Sequence, residues 1–442
     1  MKVKLYRSAT VGLESNKFKL LMDPWLVDGE YFGSWSHFPK YNIDSNLEEI
    51  NSYDAIYISH IHPDHCSDKT LKLINKNIPI YIHSYHSKFL KFKLERMGFE
   101  VIEIKNGSKL NLTDELTITI YAADNCNPEL CFKFFGCGDL EASEGSQQID
   151  TIALIEDKKK VIVNTNDCPF ELAKSTLEEI KKKYKKIDLL LTGYQNASPY
   201  PQCFDNLDIN QKIVEGKKVA LKCLNRSLLS IKLLKPNYFL PFAGTYILTG
   251  NLSKIDYLRG VPNIDDAFKY LSENQNFSKP LMLSSESEFD LNLEVYSKEY
   301  EKFDVNKYKK YLELISKRKF DFENDNYPDL NEIFDLSKSA HLKYLEKKLI
   351  FNMKFDTDIF IEIYENYIKL GKDNKISLEN NIKLSNDKFV LYKVDPRLLK
   401  LLLLGPRYAH WNNAEIGSHL KFFRKPNIFE RQVYGSMNYF HN

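Results

Sequence analysis

Three histidines and one aspartate lie within six consecutive positions, directly after the apolar run Ala55 to Ile58. They are His60, His62, Asp64 and His65. A strand ending at this run would deliver them into a loop, and His60 and His62 would point the same way because side chains alternate along extended backbone. Neutral imidazole is a common metal ligand. The cluster therefore predicts a site for one or two metal ions, and the alternative is a histidine-rich surface loop.

Apolar runs and amphipathic stretches alternate up to about Leu252, which is typical of an α/β layered fold. Polar or glycine residues follow the ends of the predicted strands: Asp23, His60 to His65, Asp124, Asp167, Gly193 and Gly244. In layered α/β folds the carboxyl ends of the strands gather sites at one edge. We therefore expect several of these residues to lie close to the histidine cluster.

The character of the sequence changes after about Leu252, where charged residues become more frequent, and strand-like runs return between His341 and Leu398. This change predicts three parts: a metal-binding domain over 1–255, a mainly helical connecting segment over 256–340, and a small α+β unit over 341–442. The last part ends in an aromatic, histidine-bearing tail. We expect that tail to dock near the active site, because a disposable tail would be polar.

Composition argues against several classes of protein. The formal net charge of +2 gives no basic footprint for nucleic acid. The seven cysteines are odd in number and scattered, which favours a reducing compartment over a disulfide framework. The apolar runs are too short to cross a bilayer. We therefore expect a cytoplasmic protein that acts on a small-molecule substrate and binds neither nucleic acid nor a membrane.

The segment His60-Ile61-His62-Pro63-Asp64-His65 resembles the H-x-H-x-D-H signature of the metallo-β-lactamase superfamily. Asp23-Pro24-Trp25-Leu26 is similar to the usual opening of that superfamily. The resemblance implies an α/β, four-layer αβ/βα sandwich with the metal site at one edge of the two sheets, here followed by a C-terminal α+β extension. Asp167 matches the metal-bridging aspartate, and we prefer this role to a cap for the helix that begins near Glu171.

Five segments resemble the CMP-N-acetylneuraminate hydroxylase family: Asp23 to Leu26, Asn166 to Cys168, Ser198 to Pro201, Pro241 to Gly244 and His410 to His419. The resemblance implies hydroxylation of an N-acetyl methyl group on a nucleotide-activated sialic acid, with iron and molecular oxygen. One departure is that the paired Cys-x-His and Cys-x-x-His of a Rieske domain do not occur in this sequence. An external electron donor would then be needed.

A second departure concerns the later ligands of the superfamily. No histidine occurs between His86 and His341. The positions at which the superfamily has its later histidine ligands fall at Asp124 or Asn125 and near Gly244. Asp124 is therefore a candidate metal ligand, although a turn residue is an equally good interpretation.

The C-terminal tail could supply the histidine side chains that the middle of the chain lacks. His410, Glu415 and His419 are candidate substrate-binding residues, and Glu415 and His419 share a face if the tail is helical. They could also complete a metal site, and a packed, hydrogen-bonded tail is the alternative. His37 and Tyr200, each in a loop that carries prolines or glycines, are further candidate substrate contacts; His37 could equally be a surface or core histidine.

The function we favour is oxidation, by one or two non-haem iron ions, of a small polar molecule such as an amino-sugar or nucleotide-sugar derivative. Asp64 and Asp167 are the candidate catalytic residues. Imidazole and carboxylate ligands without a certain thiolate suit iron as well as zinc. The first alternative is a zinc- or manganese-dependent hydrolase of a phosphoester or lactone. The second is a non-catalytic metal-binding scaffold.

Overall fold

The computed structural model describes residues 1–123, 150–382 and 388–442. The candidate ligand Asp124 lies outside this range, as does Asn125. The strands in the described range are β1 Lys2–Arg7, β2 Thr10–Ser15, β3 Phe18–Met22, β4 Trp35–His37, β5 Ala55–Tyr57, β6 Ile80–His83, β7 Val101–Ile104, β8 Lys109–Asn111, β9 Thr117–Ala122, β10 Thr151–Glu156, β11 Val161–Asn164, β12 Leu189–Gly193, β13 Tyr238–Phe242, β14 Tyr246–Leu248, β15 Lys279–Pro280, β16 Ser287–Asp290, β17 Val295–Tyr296, β18 Asp358–Ile363, β19 Asn366–Leu370, β20 Ile376–Glu379, β21 Phe389–Lys393 and β22 Lys421–Lys425.

The α-helices in the same ranges are α1 Leu47–Ile50, α2 Asp68–Leu71, α3 Phe89–Arg96, α4 Phe170–Lys183, α5 Ile209–Leu234, α6 Ile264–Glu273, α7 Val305–Ile315, α8 Leu330–Ile350, α9 Pro396–Leu404, α10 Trp411–Ile416 and α11 Arg431–Met437. Short 3-10 segments cover Ile43–Ser45, Gly250–Leu258 and Asp321–Asn324. No helix in the described part of the chain is both long enough and apolar enough to cross a membrane.

Two mixed sheets pack face to face in the first two thirds of the chain. The order of one is β17-β16-β1-β2-β3-β5-β6-β7, and that of the other is β15-β13-β12-β11-β10-β9-β8. Their inner faces share one core that includes Leu20, Ile118 and Leu190. Helix α3 covers the outer face of the first sheet through Leu90 and Leu94, while α4, α5 and α6 pack on the second. The layers therefore run helix, sheet, sheet, helix, and the predicted αβ/βα sandwich is confirmed.

The longest helix shows how the sequence specifies this layering. Asp208 begins α5 with a capping box, in which its side chain accepts from the backbone of Gln211 and the Gln211 side chain accepts from the Asp208 backbone. The buried residues of the last turns, Leu224, Leu228 and Ile231, recur every three or four positions. This period places an apolar stripe on the sheet and leaves lysines outside.

Strand direction gathers the functional residues at one edge. Strands β3, β5, β6 and β7 run parallel in the first sheet, and β11, β12 and β13 run parallel in the second. The histidine loop follows β5, Asp23 follows β3 and Asp167 follows β11. Parallel strands end at a common edge, so the sheet topology brings together residues that are far apart in the sequence.

The predicted boundary at residue 255 is corrected by the strand pairing. Strand β15 pairs with β13, and β16 pairs with β1 so that Lys2 lies opposite Asp290. The segment 256–340 therefore supplies three strands to the two sheets in addition to its helices. These strands are two to four residues long, which is too short for alternating polarity to reveal them. Helix α8 also crosses the predicted boundary at 340.

A five-stranded sheet of order β20-β19-β18-β21-β22 forms the C-terminal unit. Its core includes Ile361 from the sheet and Tyr344 and Leu399 from α8 and α9. The unit docks on the loop after β12: the Asp205 amide donates to the Phe422 carbonyl at 2.7 Å. The C-terminal unit thus contacts the first unit through this backbone hydrogen bond and through a shared hydrophobic core.

Candidate metal centre

Three imidazoles and one carboxylate from the loop after β5 lie beside a second carboxylate, that of Asp167. His60 Nε2 and His62 Nδ1 lie 2.8 Å apart. His65 Nε2 lies 3.2 Å from Asp167 Oδ2 and 3.6 Å from Asp64 Oδ2. One ligand atom each from His60, His65 and Asp167 fall within 4.8 Å of one another. The fold therefore places Asp167, which comes from the other sheet, beside the histidine motif.

Buried oxygen atoms hold the outer nitrogens of two histidines. His65 Nδ1 lies 2.8 Å from Asp23 Oδ2, and His60 Nδ1 lies 3.1 Å from Asp150 Oδ1 and 2.9 Å from Ser59 Oγ. The Ser59 amide also donates to Asp23 Oδ1 at 2.7 Å. Carboxylates at Nδ1 fix the ring orientation of a metal-binding histidine and direct Nε2 to the ion.

Sequence reasoning recognised these two carboxylates only in part. Asp23 stood out as a residue at a strand end, but its role as a partner of His65 was not predicted. Asp150 was missed. It precedes β10, and its contact with His60 spans two sheets, so no local pattern could reveal it.

The donor set fits a divalent cation. His65 Nε2 is buried and makes no hydrogen bond within the described chain, and leaving a buried polar atom unpaired costs about 1–3 kcal/mol. Burial alone would lower the pKa of His65, but the nearby carboxylates of Asp167, Asp23 and Asp64 outweigh it and raise that pKa. Burial raises the pKa of Asp64. Nitrogen and oxygen ligands with this crowding of carboxylates suit iron, zinc or manganese.

The tail and an aromatic loop close over the cluster. Tyr31 donates its hydroxyl hydrogen to Asp64 Oδ1, and the Tyr31 carbonyl lies 2.8 Å from His419 Nε2. Asn412 Oδ1 lies 3.2 Å from His62 Nε2. An Nε2–H of His62 that donates to Asn412 leaves Nδ1 of His62 free to bind a metal. The tail thus reaches the histidines through Asn412, a residue that sequence reasoning did not single out.

The sequence singled out three tail residues, His410, Glu415 and His419. None of them belongs to the group of converging ligand atoms formed by His60, His65 and Asp167. His410 caps α10, where its Nδ1 accepts from the Asn412 amide at 3.2 Å, and burial lowers its pKa to about 4. Burial also lowers the pKa of His419 to about 4 and raises the pKa of Glu415 to about 7. Their roles as substrate contacts stay predictions.

The polar groups of two other candidate substrate contacts, His37 and Tyr200, already have partners within the protein. His37 is fully buried, with Nδ1 3.0 Å from Asp28 Oδ1 and Nε2 3.1 Å from the Trp25 carbonyl. Neither nitrogen is left for a substrate, so this prediction is corrected: His37 is a core histidine. Tyr200 donates its hydroxyl to Glu215 at 2.8 Å, and its side chain packs against the core of the C-terminal unit.

Backbone conformation at the strand ends is unusual. Asp23, Asn166 and Ala243 have φ angles of 45°, 48° and 57°, in the left-handed region. Such conformations cluster at functional sites and persist only where other contacts hold them. The Asn166 side-chain amide donates to the Thr151 carbonyl at 2.8 Å, which fixes the residue directly before Asp167.

Gly193 leaves room for the loop that carries Asn166 and Asp167. A Cβ at Gly193 would lie 2.8 Å from the Asn166 carbonyl oxygen and 3.5 Å from Asp167 Oδ1. We expect Gly193→Ala to displace Asp167 and to weaken metal affinity about tenfold or more, as loss of ligand orientation does. Competition with a chromophoric chelator measures this. Gly216→Ala is the control, since its Cβ also crowds a carbonyl, that of Leu258 at 3.1 Å, outside the cluster. Equal metal affinity of the two variants would contradict the prediction.

Comparison with known proteins places this geometry in context. No family model matches the chain. The chain is 26% identical over 249 residues to the cytidine monophosphate-N-acetylneuraminic acid hydroxylase of Danio rerio. The match covers 54% of this chain and 37% of that relative, so the chain spans little more than a third of the relative's length.

Similar solved structures include Igni18, a metallo hydrolase from Ignicoccus hospitalis, at 15% identity with a TM-score of 0.42, over 65% of this chain and 98% of that one. CmlA, a diiron β-hydroxylase from Streptomyces venezuelae, matches at 14% identity with a TM-score of 0.41, over 63% of this chain and 52% of the other. The described chain itself has the αβ/βα layers, with H-x-H-x-D-H at the edge of the sandwich. The fold is that of the metallo-β-lactamases. In this metallo-β-lactamase fold, the candidate metal centre lies at the carboxyl ends of the parallel strands.

Proposed function

We propose that this protein is a metal-dependent oxygenase that holds one or two non-haem iron ions and acts on a small polar molecule such as an amino-sugar or nucleotide-sugar derivative. The observation that carries the proposal is the convergence of His60, His65 and Asp167, whose ligand atoms lie within 4.8 Å of one another. Histidine with carboxylate is the ligand combination of non-haem iron sites. The similarity to hydroxylases over 54% of the chain supports oxidation rather than hydrolysis.

The residues around the cluster have distinct tasks in this proposal. Iron bound here would supply the activation of molecular oxygen. Asp23 holds the imidazole of His65 through Nδ1, and Ser59 holds that of His60 through Nδ1 with the Asp150 carboxylate 3.1 Å away, which keeps Nε2 of each ring directed inward. Tyr31 holds one oxygen of Asp64 and leaves the other facing His65.

Asp167 is the carboxylate of the cluster that reaches solvent. Its side chain is 29% exposed, whereas that of Asp64 is 8% exposed. We therefore propose that Asp167 both binds metal and contacts the substrate, while Asp64, held by Tyr31, is a buried metal ligand. The substrate-binding roles of Glu415, His410 and His419 belong to the same proposal.

The proposal includes an external electron donor, because oxygen activation at iron consumes electrons that this donor set does not supply. It also includes a cytoplasmic location. The cysteines in the described ranges, Cys66, Cys168, Cys203 and Cys223, are all buried and form no disulfide with one another, which supports a reducing compartment.

A zinc- or manganese-dependent hydrolase of a phosphoester or lactone is the second candidate. The partly exposed Asp167 beside His65 favours it, since a carboxylate there could also hold a water molecule at a metal.

Metal content and oxygen uptake separate the two candidates. Protein expressed without added metal is analysed for metals by mass spectrometry, and its absorption and Mössbauer spectra are recorded after loading with iron-57. Oxygen consumption is then measured with a chemical reductant and a panel of amino-sugar derivatives. We expect iron to predominate and oxygen uptake to depend on a substrate. Predominant zinc with cleavage of a chromogenic phosphodiester would overturn the oxygenase, and metal without either activity would favour the scaffold.

A further inference from the structure

A second concave region lies between the loop before α3 and the C-terminal unit. Its volume is about 590 Å³, within the range of small-molecule sites. Ser87 and Phe89 line it from the first unit, and the C-terminal unit contributes Lys343, Lys347, Phe351, Arg407, Tyr439 and His441. None of the metal-cluster residues is part of its wall. We call this region the basic cavity.

Cationic side chains dominate the polar part of the basic cavity. Lys343, Lys347 and Arg407 line it, and no Asp or Glu side chain does so among the residues that the structure describes. Lys343 Nζ lies 3.3 Å from His441 Nδ1, so the polar atom beside this ammonium group is another nitrogen. Like charges in one concavity repel, and a bound anion would offset that repulsion. Lysine and arginine together are the usual protein groups that bind phosphate.

Aromatic rings form the other part of the wall. The Phe351 and Tyr439 ring centroids lie 5.1 Å apart with an interplanar angle of 36°. Lys347 Nζ lies 5.7 Å from the centre of the Phe351 ring, so cation and ring are neighbours. Phe89 at the rim is 67% exposed. A planar apolar group placed here would bury ring surface next to the cations.

We propose that the basic cavity binds an aromatic phosphate monoester, with the phosphate on Lys347 and Arg407 and the ring against Phe351 and Tyr439. This goes beyond the proposed oxygenase, because binding here needs no metal. The two halves of the ligand match the two halves of the described wall: cations without an Asp or Glu side chain on one side, and two neighbouring, tilted aromatic rings on the other.

Titration calorimetry on the metal-free full chain tests the proposal with phenyl phosphate, inorganic phosphate and benzoate. We expect phenyl phosphate to bind about tenfold more tightly than either of the others, since only it uses both halves of the wall. Lys347→Gln and Arg407→Gln should each weaken phenyl phosphate about tenfold, the usual effect of losing a charge-assisted hydrogen bond. Lys298→Gln removes an exposed lysine outside the cavity and should change nothing.

Two results would overturn the proposal. Phenyl phosphate that binds no better than phosphate or benzoate would contradict the composite ligand. Unchanged binding in both Lys347→Gln and Arg407→Gln would show that phenyl phosphate does not bind in the basic cavity. Circular dichroism checks that these surface variants are folded. His62→Ala, which addresses the metal centre, should bind phenyl phosphate like the wild type. The inference and the proposed oxygenase therefore fail or stand separately.

Discussion

Replacing His65 with alanine should lower the metal affinity of the protein by more than about a hundredfold. The change removes Nε2, which lies 3.2 Å from Asp167 Oδ2, and it also removes the ring that Asp23 orients through Nδ1. Metal per chain, measured by mass spectrometry after dialysis against a weak chelator, should fall from near stoichiometric to background. His86→Ala is the matched control, because His86 is an exposed histidine that follows β6.

Retention of metal by His65→Ala would show that the ion is held elsewhere. Loss of metal through unfolding is a separate outcome, since the change leaves Asp23 fully buried, with Ser59 as its remaining side-chain partner in the described part of the chain. His62→Ala distinguishes the two. His62 is only partly buried, so we expect this variant to fold, and it should lose metal as well.

Replacing Glu415 with glutamine should stabilise the protein at alkaline pH. Burial raises the pKa of Glu415 from 4.5 to about 7. The folded state therefore binds this proton more tightly than the unfolded state does. Wild-type stability falls as pH rises between these two values, and the loss persists above the higher one. Because glutamine cannot ionise, Glu415→Gln should gain about 3 kcal/mol at about pH 8 and less than about 1 kcal/mol at about pH 5.

Urea unfolding at the two pH values measures the difference. Glu299→Gln, at an exposed glutamate, is the control for a change of net charge and should shift stability little at either pH. A gain of equal size at both pH values, or none at either, would contradict burial as the cause. If the gain is found, Glu415 is a carboxylate kept at a cost to stability, which is typical of a residue with a functional task.

Local features of the sequence were enough to predict one side of the metal centre. The spacing of His60, His62, Asp64 and His65 after a buried strand predicts convergent side chains, because strand period and loop geometry act over a few residues. The alternation of apolar runs and amphipathic stretches predicts a layered α/β fold, and the resemblance implies the αβ/βα sandwich, which the structure confirms. Asp167 became a candidate through resemblance, and the structure places its Oδ2 beside His65.

Other parts of the centre were out of reach of local features. The contact between His62 and Asn412 joins residues 350 positions apart. The Asp150 carboxylate meets His60 across two sheets, and the short strands β15 to β17 complete sheets that begin near the N-terminus. His37 illustrates the converse, because its place in the loop gave no sign that Asp28 and Trp25 occupy both of its nitrogens.

The histidine motif alone therefore establishes that imidazole ligands converge at a strand end. Only the tertiary structure decides which groups complete and orient them: Asp167 beside His65, Asp23 and Asp150 at the outer nitrogens, and Asn412 on His62. The physical reason is range. Side-chain direction follows from dihedral angles that act within a few residues, whereas contacts between distant segments depend on how both sheets and the C-terminal unit pack together.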